Sequence, residues 1–144
     1  MGHLTRADPV AAARAWLLTR TTVSTALGGT GRVGSHNEPP YPCVVLTDPP
    51  GNDLTLRHLI APILQIEVLG DMDGSPGKPA LREILYTVLE ELVLLTDTPQ
   101  TDPTQPVVTA VTSSGGGGWV PMPNGQPRYL ATVTMHMHPS PVTP

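Results

Sequence analysis

The chain has no phenylalanine, a single cysteine and only 14% charged residues in 144. Each shortage excludes something. With Cys43 alone, neither an intrachain disulfide nor a cysteine-rich metal site can form. Cys43 lies in the apolar run Tyr41-Pro-Cys-Val-Val-Leu46, where a thiol is expected to pack as a small buried hydrophobe. The basic residues are Arg6, Arg14, Arg20, Arg32, Arg57, Lys78, Arg82 and Arg128, scattered along a chain of net charge −4. A direct grip on nucleic acid calls for a basic patch or stripe, so at most indirect contact with DNA is expected, where folding gathers some of these residues around a pore. No run approaches the roughly 18 apolar residues of a membrane helix, and no membrane partner is expected. Residues 1–8 contain no apolar core of the signal-peptide kind, and Met1-Gly2 is not followed by the hydroxyl residue that myristoylation needs. The expected location is a cytoplasm, or a particle assembled there.

Proline and glycine are plentiful, with 18 and 14 residues. They are clustered, which predicts ordered segments joined by long loops. The length suits one domain, able to bury roughly 70% of the surface its unfolded chain exposes. We expect that domain over 1–138, with a proline-rich tail at 139–144.

Asp8-Pro9 opens a first helix as N-cap and first-turn proline, and Val10, Ala13, Trp16 and Leu17 share one face. A further turn carries Val23, Ala26 and Leu27 and ends at Gly28-Gly29. A short strand is expected within 31–34, another over 41–46, turn chemistry over 47–53, and a long strand over 59–69. In the last of these, Leu64, Ile66 and Val68 face one side, while Gln65 and Glu67 make the other more polar. Pro62 cannot donate to a ladder, which places its strand near an edge or a bulge. Ser75-Pro76 begins a second main helix, with Pro79 at about its fourth position. Its apolar stripe is Leu81, Ile84, Leu85, Val88, Leu89, Leu92 and Leu95, with Arg82, Glu83, Glu90 and Glu91 off it. A loop over 96–106, a strand over 107–112, a glycine-rich loop over 113–127 and an alternating strand over 128–138 complete the order. The fold class expected is α+β: a single mixed or antiparallel sheet of four to five strands with two main helices packed on one face. The Pro62 strand and the final strand are expected as exposed edges, open to another chain.

No constellation carries recognisable chemistry. His136 and His138 stand about 7 Å apart on one strand face, yet two histidines alone do not hold zinc. Asp71-x-Asp73-Gly74 begins like a calcium loop, but position twelve is Arg82 and not Glu. Gly29-x-Gly31-x-x-Gly34 has the letters of a dinucleotide fingerprint without the preceding strand and following helix. The polar residues His58, His136, His138, Asp48, Asp53 and Glu67 have no catalytic spacing, and no nucleophile elbow is present. Neither a cofactor, a metal nor an enzymatic activity is expected.

The helix over 8–17, the glycine-rich step to Arg32-Val33, the strand over 40–46, the run Gln65-Ile-Glu-Val-Leu-Gly70, the leucine-rich helix over 79–95 and the two last strands are similar, in that order, to the tail terminator (tail completion) proteins of long-tailed bacteriophages. The resemblance covers about residues 8–138, and the proline density departs from it. It implies a homo-oligomeric ring, commonly hexameric, that caps the tail tube, ends its polymerisation and presents a joining surface to the head connector. The partners implied are other copies of the chain, the tail tube protein and the head-closure or connector protein, all within a virion assembled in the host cytoplasm. The loops over 96–106 and 113–127 become candidates for axial contacts. Pro62, Asp71, Asp73, Gly116, Trp119, His136 and His138 become candidate contacts with partners. The alternative is a head-closure or head–tail adaptor protein of the phage neck; the helix between strand pairs favours the terminator.

Overall fold

In the computed structural model, the described residues are 9–47, 62–97 and 107–138. Helix α1 spans Pro9–Leu18 and buries Ala13 and Leu17. A separate helix α2 spans Thr21–Leu27 and buries Val23 and Leu27. It closes at Gly28, whose φ of 81° is the left-handed conformation that glycine adopts without penalty. Arg32 completes this cap by donating from Nη1 to the Leu27 carbonyl at 2.6 Å. A Cβ on Gly29 would stand 3.2 Å from the Arg32 guanidinium, so small residues there admit the cation that the helix C-terminus attracts.

Strands β1 (Val33–Gly34), β2 (Cys43–Thr47), β3 (Ile63–Leu69), β4 (Val107–Trp119) and β5 (Arg128–His138) form one sheet in the order β1-β2-β3-β5-β4. The β1–β2 pair is parallel and the others are antiparallel. The expected α+β class and single mixed sheet are therefore present. Two expectations about its edges fail. Among the described residues, the strand after Pro62 and the final strand are both central, and the edges are β1 and β4. Pro62 stands just outside β3, where its missing N–H costs no ladder bond and its carbonyl accepts from Met135 N at 2.9 Å. The glycine run likewise belongs to β4, which continues to Trp119 with register irregularities between Val108 and Ala110 and between Ser113 and Gly117. A ladder needs only backbone groups, so glycine weakens pairing without preventing it. The loop expected over 113–127 thus shrinks to 120–127. Residues 48–61, 98–106 and 139–144, which include the turn after β2, the expected start of the long strand, most of the loop after α3 and the tail, lie outside the described residues.

Alternation decides the two faces. Leu64, Ile66 and Val68 of β3 and Tyr129, Val133, Met135 and Met137 of β5 join the helices in one core. On the opposite face Glu67 meets Arg128 at 3.2 Å and accepts from Gln65 at 2.8 Å.

Helix α3 spans Lys78–Leu95 and lies over β3, β4 and β5. It begins later than Ser75-Pro76 suggests, with Gly77 as N-cap and Pro79 inside the first turn. A first-turn proline sacrifices no intrahelical hydrogen bond, which resolves its apparent conflict with the helix. Leu81, Ile84, Leu85, Val88 and Leu92 are buried as their spacing predicts, but so is Glu91, at 5% exposure. Its carboxylate meets Arg20 at 2.8 Å. Trp16 donates from Nε1 to the Glu91 carbonyl at 2.6 Å, and the Arg20 guanidinium lies 4.6 Å from the Trp16 ring centre. Removing Arg20 leaves a buried acceptor unmatched. Arg20→Ala is expected to lower stability by about 2 kcal/mol, against under about 0.5 kcal/mol for Glu90→Ala at the exposed neighbouring position. Urea unfolding midpoints compare the two, and equal effects would contradict this role for the ion pair.

Candidate functional site

Helix α3 carries a second apolar stripe. Tyr86 and Val93 stand seven residues apart on an exposed strip beside the core stripe, with Leu89, which packs against the core, between them. With Val111 of β4 and Val133 of β5 they line a groove of about 380 Å³ between the helix and the β4–β5 hairpin. Tyr86 and Val93 are each 49% exposed. The groove runs beside β4, an edge strand with no proline and no charged residue. Natural edges of such length are usually interrupted by charge, proline or bulges. Here the ladder irregularities are the interruption.

The hairpin is fixed at one end of the sheet. Trp119 packs edge-to-face on Tyr129, with ring centres 5.5 Å apart, and Lys78 Nζ lies 5.4 Å from the Trp119 ring centre. The connection over 120–127 is held by Gln126, 2% exposed. Its side chain donates to the Gly70 carbonyl at 2.9 Å and accepts from Asn37 Nδ2 at 2.7 Å. Tyr41 donates to Asn37 Oδ1 at 2.8 Å. These bonds join the segment before β2, the end of β3 and the hairpin connection at a single corner.

The candidate contacts from the sequence do not converge. Trp119, Asp71 and Asp73 lie toward the end where β3 finishes, while Pro62, His136 and His138 lie toward the end where it begins. Gly116 is within β4. His136 is half-buried, with Nε2 3.5 Å from Thr112 Oγ1. His138 pairs its backbone with Val107; its side chain is outside the description. Among the described residues no group of three metal-ligating side chains occurs, and no helix is long and apolar enough to cross a membrane. Asp71 and Asp73 shape a turn: the Asp71 carbonyl accepts from Gly74 N at 2.9 Å, and Asp73 Oδ1 accepts from the Ser75 backbone and hydroxyl at 2.9 and 2.6 Å. Cys43 is buried with Val45 and Leu69 on the sheet face away from the helices, and burial raises its thiol above the usual range. The Gly28 to Gly34 stretch leads from α2 into β1, the reverse of a dinucleotide site.

Sequence reasoning missed the groove, Glu91 and Gln126. Tyr86 and Val93 were visible as a second stripe at spacing seven, and Glu91 shares its side of the helix with Ile84, Val88 and Leu95. Gln126 had no local signal, because its partners lie far away in the chain.

No protein-family model matches this chain, and no curated protein matches it.

The Ser75 hydrogen bonds hold the Asp73 carboxyl below its usual range. A depressed carboxyl contributes stability that is present above the unfolded-state value and lost as pH falls through the folded-state value. Ser75→Ala is therefore expected to return the Asp73 titration midpoint upward toward an ordinary aspartate, read by carboxyl NMR. An unmoved midpoint would contradict the assignment of cause.

Proposed function

We propose that the chain is a structural subunit of a bacteriophage particle, forming a ring that caps the tail tube, ends its polymerisation and offers a joining surface to the head connector. The observation that carries this reading is the apolar groove beside the uncharged edge strand β4. An edge strand offers unpaired backbone groups to another chain, and a contiguous exposed apolar surface favours association. A patch on one side of a subunit that fits a different patch on the other side generates a closed ring when the rotation closes. The opposite edge of this sheet, β1, has only two residues and a different chemistry, so the two sides are unlike, as a ring contact of this kind requires. The element order and its resemblance to tail terminators over 8–138 supply the specific role. The proposal assigns no turnover to the chain.

Negative-stain microscopy of the purified protein, alone and mixed with tail tubes, tests the role. Rings of uniform diameter and density at one end of each tube are expected. Rings that ignore tubes and dock on DNA-filled heads would move the assignment to head closure, and a monomer that binds neither would overturn it.

A further inference from the structure

The connection between β4 and β5 ends in an exposed turn, Met122-Pro-Asn-Gly-Gln126. We infer that Asn124 in this turn is a site of spontaneous modification: its side-chain amide is lost as ammonia by attack of the Gly125 backbone nitrogen, and the succinimide so formed opens to aspartate or isoaspartate. The site is separate from the apolar groove and does not depend on the ring proposal.

Backbone bonds define the turn. Gly125 N donates to the Met122 carbonyl at 2.8 Å, and Met122 N donates to the Gln126 carbonyl at 2.9 Å. Pro123 takes the second turn position, which its fixed φ suits, and Asn124 and Gly125 follow. Gly125 has a φ of 92°, the left-handed backbone that glycine adopts without penalty. Pro123, Asn124 and Gly125 are all exposed, so water reaches the amide and ammonia leaves freely. A Cβ built on Gly125 would meet nothing within 4 Å beyond its chain neighbours, so no other part of the fold crowds the reacting atoms.

The chemistry follows from these positions. The Gly125 nitrogen gives its proton to hydroxide and bonds to Asn124 Cγ, its neighbour in the chain, so the reactants are already held together. The Cγ–Nδ2 bond then breaks, and Nδ2 leaves as ammonia after taking a proton from water. Water adds to one of the two ring carbonyls. Cleavage at Cγ gives aspartate, and cleavage at the backbone carbonyl carbon gives isoaspartate. The electrophile is polarised in advance: Gln126 N donates to Asn124 Oδ1 at 3.0 Å, the oxygen that carries the negative charge when the nitrogen adds. A fixed N–H aimed at a developing oxyanion favours such an addition. The buried side chain of Gln126 holds this donor in place through the Gly70 carbonyl and Asn37. The bond that opens for the nitrogen to turn onto Cγ is Gly125 to Met122, which belongs to the turn and not to the buried corner. Asn37 is the internal contrast. Its nitrogen neighbour belongs to Glu38 and not to glycine. Its amide is pinned, donating to Gln126 Oε1 at 2.7 Å and accepting from Gln126 Nε2 at 3.2 Å and from the Tyr41 hydroxyl at 2.8 Å. Isoaspartate at 124 lengthens the main chain by one carbon beside Gln126, and so draws Gln126 away from Asn37 and Gly70.

Incubation of the folded full chain at mildly alkaline pH tests the site, with peptide mass spectrometry locating each amide converted to acid and enzymatic methylation detecting isoaspartate. Both products are expected at 124, with Asn37 still an amide. Gly125→Ala crowds the nitrogen and is expected to slow the loss at 124 about tenfold, with circular dichroism checking that the variant is folded. A parallel incubation of the parent chain in urea needs no variant. A folded chain that keeps its amide at 124 while the unfolded chain loses it would overturn the inference, because the turn would then be protecting the residue. Equal loss at Asn37 and Asn124 in the folded chain, or a folded Gly125→Ala variant that reacts as fast as the parent, would overturn it as well.

Discussion

Glu91 brings a carboxylate into the junction between α3 and the first two helices, and the arrangement of the whole helical layer depends on its being met there. Arg20 supplies the countercharge at 2.8 Å, while Trp16 bonds the same residue's carbonyl and lies beneath the guanidinium. A charge left alone in such a place would be costly. The ion pair and the leucine stripe are satisfied by the same rotation of α3 about its axis. That rotation sends Leu81, Leu85, Val88 and Leu92 onto the sheet. It also leaves Tyr86 and Val93 uncovered beside β4. The bare groove is thus a consequence of how α3 is held on its other side.

The sheet has an equivalent constraint at its corner. Gln126 joins Asn37 and the Gly70 carbonyl, so the hairpin connection, the segment before β2 and the end of β3 are tied together. Trp119 then rests on Tyr129 with Lys78 over its ring. Buried polar groups with complete partners specify geometry more sharply than apolar contact does. The corner fixes the direction in which β4 runs along the outside, and with it the shape of the open edge.

Much of this was legible in the sequence. The alternation in 128–138 and the leucine stripe of α3 gave both elements and their buried faces, because periodicity records burial directly. The polar side of β3 at Gln65 and Glu67 was read the same way. Strand order was not legible. Pro62 suggested an edge, yet a proline one residue outside a strand is compatible with the centre of a sheet. The run at 115–118 suggested a loop, although its backbone extends β4. Glu91 looked like a solvent-facing acid because its partner, Arg20, lies 71 positions away. The groove depends on the joint placement of α3 and the hairpin, which no local pattern contains. Among the candidate contacts chosen from the sequence, Asp71 and Asp73 shape a turn and Trp119 packs on Tyr129, which lines the groove.

The proposed ring would bury the uncovered strip of α3 and the neighbouring strand β4 between copies of the chain. Hydrogen–deuterium exchange, compared between dilute monomer and assembled protein, reads that surface directly. Slowed exchange is expected in the backbone of β4 and in α3 around 86–93, appearing together on assembly. Protection confined to the polar sheet face around Glu67 and Arg128, with β4 and α3 unchanged, would contradict the proposal.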